Sequence, residues 1–241
     1  MSTKIILWLC ARSRKKHGIV FLTRMYIMLY IGIDIGYTNL AIVLVETDDD
    51  RTILDVPVIR RIDIAQCSHD RVALCDCKLY HSNHVVDKIA HVFQEYADMF
   101  EKADSIIVER QPPCGMTHIE SLLLFKFREK TVLISPNSVH KHFKMSHDYD
   151  ERKKQVVSMG WAFTMETGER RGETINPSLL IRYRRRLHDI FDALLIVRYH
   201  LMREKQTIAK ERFEDERRRR RVENKCKPLQ DLEKFRYTSG N

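Results

Sequence analysis

Residues 30–39 read Tyr-Ile-Gly-Ile-Asp-Ile-Gly-Tyr-Thr-Asn, and this stretch decides how the rest of the chain is interpreted. It predicts an apolar strand over residues 29–35, a glycine turn, and a second strand over residues 40–46. Asp34 lies in the middle of the first strand, where an unpaired buried carboxylate is energetically costly. A charge at that position needs a partner, and a metal ion, or the cation that accompanies a bound phosphate, is the usual one.

The composition limits the class of protein. The chain has 241 residues, of which 44% are hydrophobic, which suits one large domain with a substantial core. Its formal net charge of +9 favours a polyanionic partner, either nucleic acid or an acidic membrane surface. The apolar run at residues 5–9 is too short to span a bilayer, which needs about 20 residues. We therefore expect an intracellular protein with reduced cysteines and no membrane span.

The charge pattern divides the chain into three parts. Residues 1–27 contain no acidic residue and are predicted to be a dispensable extension, so a variant lacking them should keep its activity. Residues 28–203 carry the alternating strand and helix patterns of one folded domain. Residues 204–241 are rich in Glu, Lys and Arg, include the basic run Arg217–Arg221, and predict a charged helical or disordered tail.

The remaining elements follow from hydrophobic periodicity and from the positions of proline, glycine and capping residues. The first convincing helix spans residues 83–100, with Asn83 as its N-cap. A short apolar strand at residues 105–108 ends in Glu109. The other predictions are a strand at 52–64, a helix at 116–130, a strand at 131–135, a helix at 155–167, a polar loop at 168–177 and a final helix from about residue 187.

A cysteine and histidine cluster precedes the first helix. Cys75, Cys77, His81 and His84 are four zinc-type ligands within ten positions. The Cys-x-Cys spacing differs from the common Cys-x-x-Cys knuckle, however, and both histidines lie at a helix entrance. The pattern therefore favours an ordinary loop over a zinc site.

Four acidic residues occupy positions where buried structure is predicted. Asp34 and Glu109 lie on two strands that we expect to be parallel neighbours, and Asp189 and Asp192 share one face of the last helix. Four carboxylates that converge in this way fit two divalent ions about 3.5–4 Å apart, the arrangement used for in-line attack on phosphodiesters. Oxygen-only ligands indicate magnesium or manganese.

The order of these motifs resembles the ribonuclease H-like superfamily, and within it the RuvC-type Holliday junction resolvases of poxviruses and related large DNA viruses. The resemblance covers residues 28–202 and rests on four stretches in the right order. They are Ile33-Asp34-Ile35-Gly36, Val108-Glu109-Arg110-Gln111-Pro112, Tyr149-Asp150-Glu151-Arg152-Lys153-Lys154 and His188-Asp189-Ile190-Phe191-Asp192-Ala193-Leu194. It implies an α/β fold of the ribonuclease H type, with a mixed five-stranded sheet flanked by helices.

The resemblance also implies an activity. The chain would be a homodimer that cuts two opposed strands of a four-way DNA junction with magnesium, for which manganese can substitute. Asp34, Glu109, Asp189 and Asp192 would be the catalytic metal ligands. The DNA contacts would come from Arg110, Arg152, Lys153 and Lys154. The site of action would be the cytoplasm or nucleus of a host cell, where viral DNA is replicated.

Three alternatives stay open at this point. The stretch at residues 32–39 also looks like the first phosphate loop of actin- and sugar-kinase-type ATPases, although a second similar loop is missing. A ribonuclease H that cuts RNA–DNA hybrids would use the same four acids. A basic DNA-binding protein with purely structural acids would bind without metal and would not cut.

Overall fold

The structure is a computed structural model that describes residues 26–64, 77–171 and 186–238. Side chains are described within these ranges except at residues 165–171 and 223–238. The chain divides into two compact units, Met1–Leu201 and Met202–Asn241. Among the described helices, none is both long and apolar enough to cross a membrane.

The first unit is built on one five-stranded sheet. Its strands are β1 Met28–Asp34, β2 Leu40–Thr47, β3 Ile53–Ile62, β4 Ser105–Glu109 and β5 Thr131–Ile134. They lie in the order β3-β2-β1-β4-β5. The hairpin strands β1, β2 and β3 pair antiparallel, whereas β4 pairs parallel with both β1 and β5. The sheet is therefore mixed, as the sequence predicts, with β1 at its centre.

Within residues 26–64, 77–171 and 186–238, six helices accompany the sheet. They are α1 Val85–Glu95, α2 Ala97–Lys102, α3 Thr117–Lys126, α4 Pro136–His142, α5 Tyr149–Arg171 and α6 Leu187–Thr238. The predicted single helix at 83–100 is wrong in two respects. The helix breaks at Tyr96 into α1 and α2, and its N-cap is His84, whose side chain accepts a hydrogen bond from the backbone N–H of Val86 at 3.3 Å.

Helix α5 also differs from its prediction, because it begins at Tyr149 rather than near residue 155. The Asp148 carboxylate accepts a hydrogen bond from the backbone N–H of Glu151 at 2.8 Å, which is the geometry of an N-cap. Asp150 and Glu151 in the first turn add favourable charge at the helix N-terminus. The helix also includes residues 168–171 of the predicted polar loop, and the remainder of that loop lies outside the described residues.

Both faces of the sheet are covered. Because side chains alternate along a strand, β1 sends Tyr30 into one core and its neighbour Ile31 into the other. The first core contains Val156 of α5 and Leu194 of α6. The second contains residues of α1, α2 and α3. Such two-sided burial explains why β1 and β4 read as nearly continuous apolar runs.

One close approach fixes α6 on the sheet. A Cβ atom at Gly32 would lie 2.6 Å from Cγ2 of Val197 and would overlap the carbonyl oxygen of Ala193. Gly160 of α5 lies in similar contact with the ring of Phe191. The backbone of β1 therefore touches α6 directly, and the part of α6 around residues 191–197 packs against both the sheet and α5.

The second unit, Met202–Asn241, contains the later turns of α6. Side chains at residues 209–222 are exposed, including the basic run Arg217–Arg221. Helical structure continues to Thr238, so the predicted tail is helical over the described part of its length.

Candidate active site

The first two acids lie side by side at one edge of the sheet. Ile33 pairs with Val108 in the parallel ladder between β1 and β4, so Asp34 and Glu109 are the next residues along two adjacent strands. Asp34 is the last residue of β1 and not its middle, which corrects the sequence prediction. By strand alternation, Asp34 faces the same side as Gly32, and Glu109 the same side as Ile107. That side is the one that α6 covers.

The other two acids come from the first turns of α6. Asp189 and Asp192 are three residues apart and so lie on one face of the helix. Asp189 is only 8% exposed, and Asp192 is partly buried. The contact of Gly32 with Ala193 and Val197 sets these turns directly over β1.

The fold brings together all four predicted acids, because Glu109, Asp192 and Asp189 all lie close enough to Asp34 to act on its carboxyl group. The pKa of Asp34 is raised well above its ordinary value, first by burial and then by the charges of Glu109 and Asp192, with a hydrogen bond to Glu109 and the charge of Asp189 adding to the rise. Burial, followed by Glu109 and Asp189, raises the pKa of Asp192 to about 8. Two carboxyl groups that hydrogen-bond must share a proton.

This arrangement fits divalent cations. Oδ2 of Asp189 is buried and accepts no hydrogen bond, and an unpaired buried carboxylate oxygen is costly unless a cation offsets its charge. An all-oxygen donor set suits magnesium or manganese. No three of these four described acids bring one oxygen each within 4.8 Å of the other two, so the cluster is wider than the ligand shell of a single ion.

Basic and imidazole groups surround the acids. Nε2 of His188 lies 3.1 Å from Oδ1 of Asp189. Burial lowers the pKa of His188 despite the opposing effect of Asp189, and the charges of Lys153, Arg186 and Arg61 lower it further. Burial raises the pKa of Asp189, while His188 and the same three cations oppose the rise. His188 and these cations therefore favour the charged form of Asp189, whereas burial opposes it.

Sequence reasoning placed the basic run that ends in Arg186 beside the site without naming it as a site residue, and it missed Arg61. The signal available for Arg61 was a charged pair, Arg60-Arg61, inside a strand otherwise rich in Ile and Val. Arg186 closes a run of basic residues just before α6. With its amide oriented to satisfy both neighbours, Asn39 accepts hydrogen bonds from Arg186 Nη1 at 3.3 Å and from Thr38 Oγ1 at 3.2 Å. The loop after β1 therefore holds the guanidinium group of Arg186 beside the carboxylates.

The four predicted DNA-binding residues have different surroundings. Arg152 and Lys153 lie close enough to Asp192 for their charges to lower its pKa. Lys153 Nζ also sits 4.2 Å from the centre of the Tyr149 ring, a cation–π contact. Lys154 instead pairs with Glu151 at 3.5 Å and is largely exposed. Arg110 follows Glu109 at the end of β4, and its side chain is exposed.

The predicted zinc ligands are only partly brought together. Cys75 lies outside the described residues, and His84 serves as the N-cap of α1. Cys77 and His81 instead approach His91, which the sequence analysis did not include. The predicted set of Cys75, Cys77, His81 and His84 is therefore wrong at His84.

The strand order, the helices on both faces and the acids at the shared edge define an α/β fold with its candidate site where β1 and β4 end. A solved structure with this fold is that of Fowlpox virus resolvase in complex with its substrate Holliday junction DNA. It has a TM-score of 0.51 and 18% sequence identity, and the match covers 73% of this chain and 97% of that chain. A second structure, of the Fowlpox virus Holliday junction resolvase, has a TM-score of 0.48, 15% identity and coverage of 73% and 98%.

No family model and no curated protein sequence matches the chain. The likeness to the first resolvase structure confirms the predicted fold, a mixed five-stranded sheet flanked by helices in the manner of a poxvirus resolvase.

Proposed function

We propose that this chain is a metal-dependent endonuclease that resolves four-way DNA junctions by paired symmetrical nicks. The observation that carries the proposal is the convergence of four carboxylates from β1, β4 and α6: Glu109, Asp192 and Asp189 raise the pKa of Asp34, and Glu109 and Asp189 raise the pKa of Asp192. The fold shared with a Holliday junction resolvase supports the choice of substrate.

The four acids would hold the magnesium or manganese ions. When bound, such ions supply an activated water and stabilise the leaving oxygen of a phosphodiester. The chain's own residues set the geometry around them. Gly32 lets α6 approach β1, the parallel pairing of β1 with β4 keeps Asp34 and Glu109 adjacent, and His188 contacts Asp189. Arg152 and Lys153 add positive charge beside Asp192, where a phosphate would enter.

The basic side chains would bind the DNA backbone. Lys153, Arg152, Arg186 and Arg61 all act electrostatically on the acids or on His188, so a phosphate held by them would lie within reach of the metal ligands. The exposed side chain of Arg110 at the end of β4 would extend this surface. The net charge of +9 favours binding to a polyanion.

We further propose that the protein works as a homodimer in viral DNA recombination or concatemer processing. Paired nicks in opposed strands need two active sites, whereas the described part of this chain supplies one carboxylate cluster. Sedimentation of the chain alone and on a synthetic junction tests the dimer: a complex with one chain per junction that still makes paired nicks would contradict it.

The function is tested with a labelled synthetic four-way junction and magnesium. The unaltered chain should make two symmetrical nicks, and Asp34→Asn should bind the junction and fail to cut it. Asp49→Asn, at the exposed turn between β2 and β3, is the matched control and should cut normally. Cutting by Asp34→Asn at the normal rate would exclude the assignment.

The same assay separates the competing functions. Preference for an RNA–DNA hybrid over the junction would indicate a different nuclease on this fold. Hydrolysis of nucleotide without any cutting would indicate the ATPase alternative, which the single sheet among the described residues does not support. Metal-independent binding with no cutting would indicate a DNA-binding protein.

A further inference from the structure

A second group of ligating side chains lies where the segment before α1 approaches that helix, and none of its members belongs to the carboxylate site. Cys77, His81 and His91 each bring a ligand atom within 4.8 Å of the other two, and all three are partly buried. Among the described residues, no other group of three or more such side chains is this compact. We propose that these three residues bind a zinc ion that fastens residues 77–84 to α1.

The spacing of the atoms matches one tetrahedral ion. Cys77 Sγ lies 3.8 Å from His91 Nδ1. A zinc ion with bonds of about 2.3 Å to sulfur and about 2.0 Å to nitrogen holds such a pair about 3.5 Å apart. The rings of His81 and His91 have centroids 4.9 Å apart. Two imidazoles on one tetrahedral zinc have ring centroids about 5 Å apart, so the separation of these rings fits one shared ion.

A hydrogen bond prepares His91 for this role. Its Nε2 lies 3.3 Å from the backbone oxygen of Tyr80. The carbonyl can only accept, so the tautomer assigned from this bond carries its hydrogen on Nε2 and leaves a lone pair on Nδ1, the atom nearest Cys77. A second ring nitrogen bonded to a carbonyl is the usual support of a metal-binding histidine.

The loop that carries the other two ligands is held in place. The Ser82 hydroxyl hydrogen-bonds to the carboxylate of Asp87, and the backbone N–H of His84 donates to Ser82 Oγ at 3.0 Å. These bonds tie the loop to the first turn of α1. Cys77 Sγ also lies 4.0 Å from Gln94 Oε1, a weak thiol contact that a zinc-bound thiolate would give up.

The ligand chemistry selects a different metal from that of the carboxylate site. A thiolate and two imidazoles favour zinc, whereas magnesium prefers oxygen. Three protein ligands leave a fourth position for water or an external ligand, a coordination that zinc accepts. Because Cys77 and His91 are fourteen positions apart, the ion would close a short loop onto a helix.

Metal analysis of the purified full chain tests the proposal. The unaltered protein should carry about one zinc per chain, and both Cys77→Ser and His91→Gln should lose it. Two matched controls should keep their zinc: Cys114→Ser removes an exposed free cysteine, and His84→Gln removes the N-cap histidine of the predicted zinc set. Unchanged zinc in Cys77→Ser, or loss in His84→Gln but not in His91→Gln, would overturn the assignment.

A measurement on the unaltered chain covers the case in which the variants fail to fold. Cobalt added to metal-free protein should give a thiolate-to-cobalt charge-transfer absorption, which zinc abolishes and excess magnesium leaves unchanged. Absence of that absorption in folded protein would reject a site that includes Cys77. Neither readout depends on DNA cleavage, so failure here is distinguishable from failure of the proposed nuclease.

Discussion

The sequence predicted the ligands of the two candidate metal sites with different success. The carboxylate site joins residues up to 158 positions apart, from Asp34 to Asp192, yet all four acids predicted from sequence converge. The cysteine and histidine site spans Cys77 to His91, yet its local pattern gave His84 in place of His91. The topology of the sheet determines where the ends of its strands meet, and apolar periodicity predicts that topology. The path of a short loop depends on turns and caps, which are harder to predict from the sequence.

The largest expected effect is on the rate of junction cutting, which should depend on the carboxylate site and not on the cysteine and histidine site. Asp192→Asn should reduce the rate of junction cutting by roughly 10²–10³-fold, because it removes a charge that holds the reacting ions. Cys77→Ser should cut at close to the normal rate in the same assay with magnesium. Equal losses in both variants would mean that the two sites work as one.

The second effect concerns stability without metal. Because burial and like charges raise the pKa of Asp192 from 3.8 to about 8, the folded state holds its proton more tightly than the unfolded state. The resulting stabilisation is complete below about pH 4 and is lost as the pH rises through about 8.

Asp192→Asn carries no charge at any pH, so at about pH 9 in chelator it should exceed the unaltered chain in free energy of unfolding by roughly 2–5 kcal/mol. Urea denaturation at about pH 4 and pH 9 measures this difference, which should shrink at the lower pH. A difference that does not depend on pH would show that Asp192 is not a buried charge.

The third effect is the pH dependence of magnesium binding. Ligation requires the carboxylate form, so the apparent affinity should rise by up to about tenfold per pH unit until about pH 8 and then level off. Calorimetry in two buffers of different ionisation enthalpy reports the protons released. Magnesium affinity that is flat between about pH 6 and 8 would contradict the raised pKa of Asp192.

The smallest effect compares two neighbouring lysines. Lys153→Ala should weaken junction binding several-fold and lower the slope of log affinity against log salt by about 0.9, the value for one phosphate contact. Lys154→Ala should change less, because Lys154 is exposed and already pairs with Glu151. A filter-binding series over salt concentration measures both slopes, and a larger change for Lys154 would reverse this assignment.

Much of the fold followed from apolar periodicity and from the placement of acids in buried strands. Asp34 and Glu109 were informative because each interrupts or ends an apolar run without a packing reason. The helix boundaries were less accessible, since the caps Asp148 and His84 act through single side-chain hydrogen bonds. Arg61 was not predicted, because its proximity to Asp189 depends on how β3 and the start of α6 fold together.

The contact of Gly32 with α6 limits which residues position 32 can accept. If residue 32 were randomised and the library selected for folded protein, glycine should be recovered almost alone, since even a methyl group meets Ala193 and Val197. In any folded variant with a larger residue at position 32, α6 must lie farther from β1. The residue at position 32 therefore sets the distance between β1, which carries Asp34, and α6, which carries Asp189 and Asp192. A larger residue there would move these carboxylates apart although none of them had been replaced.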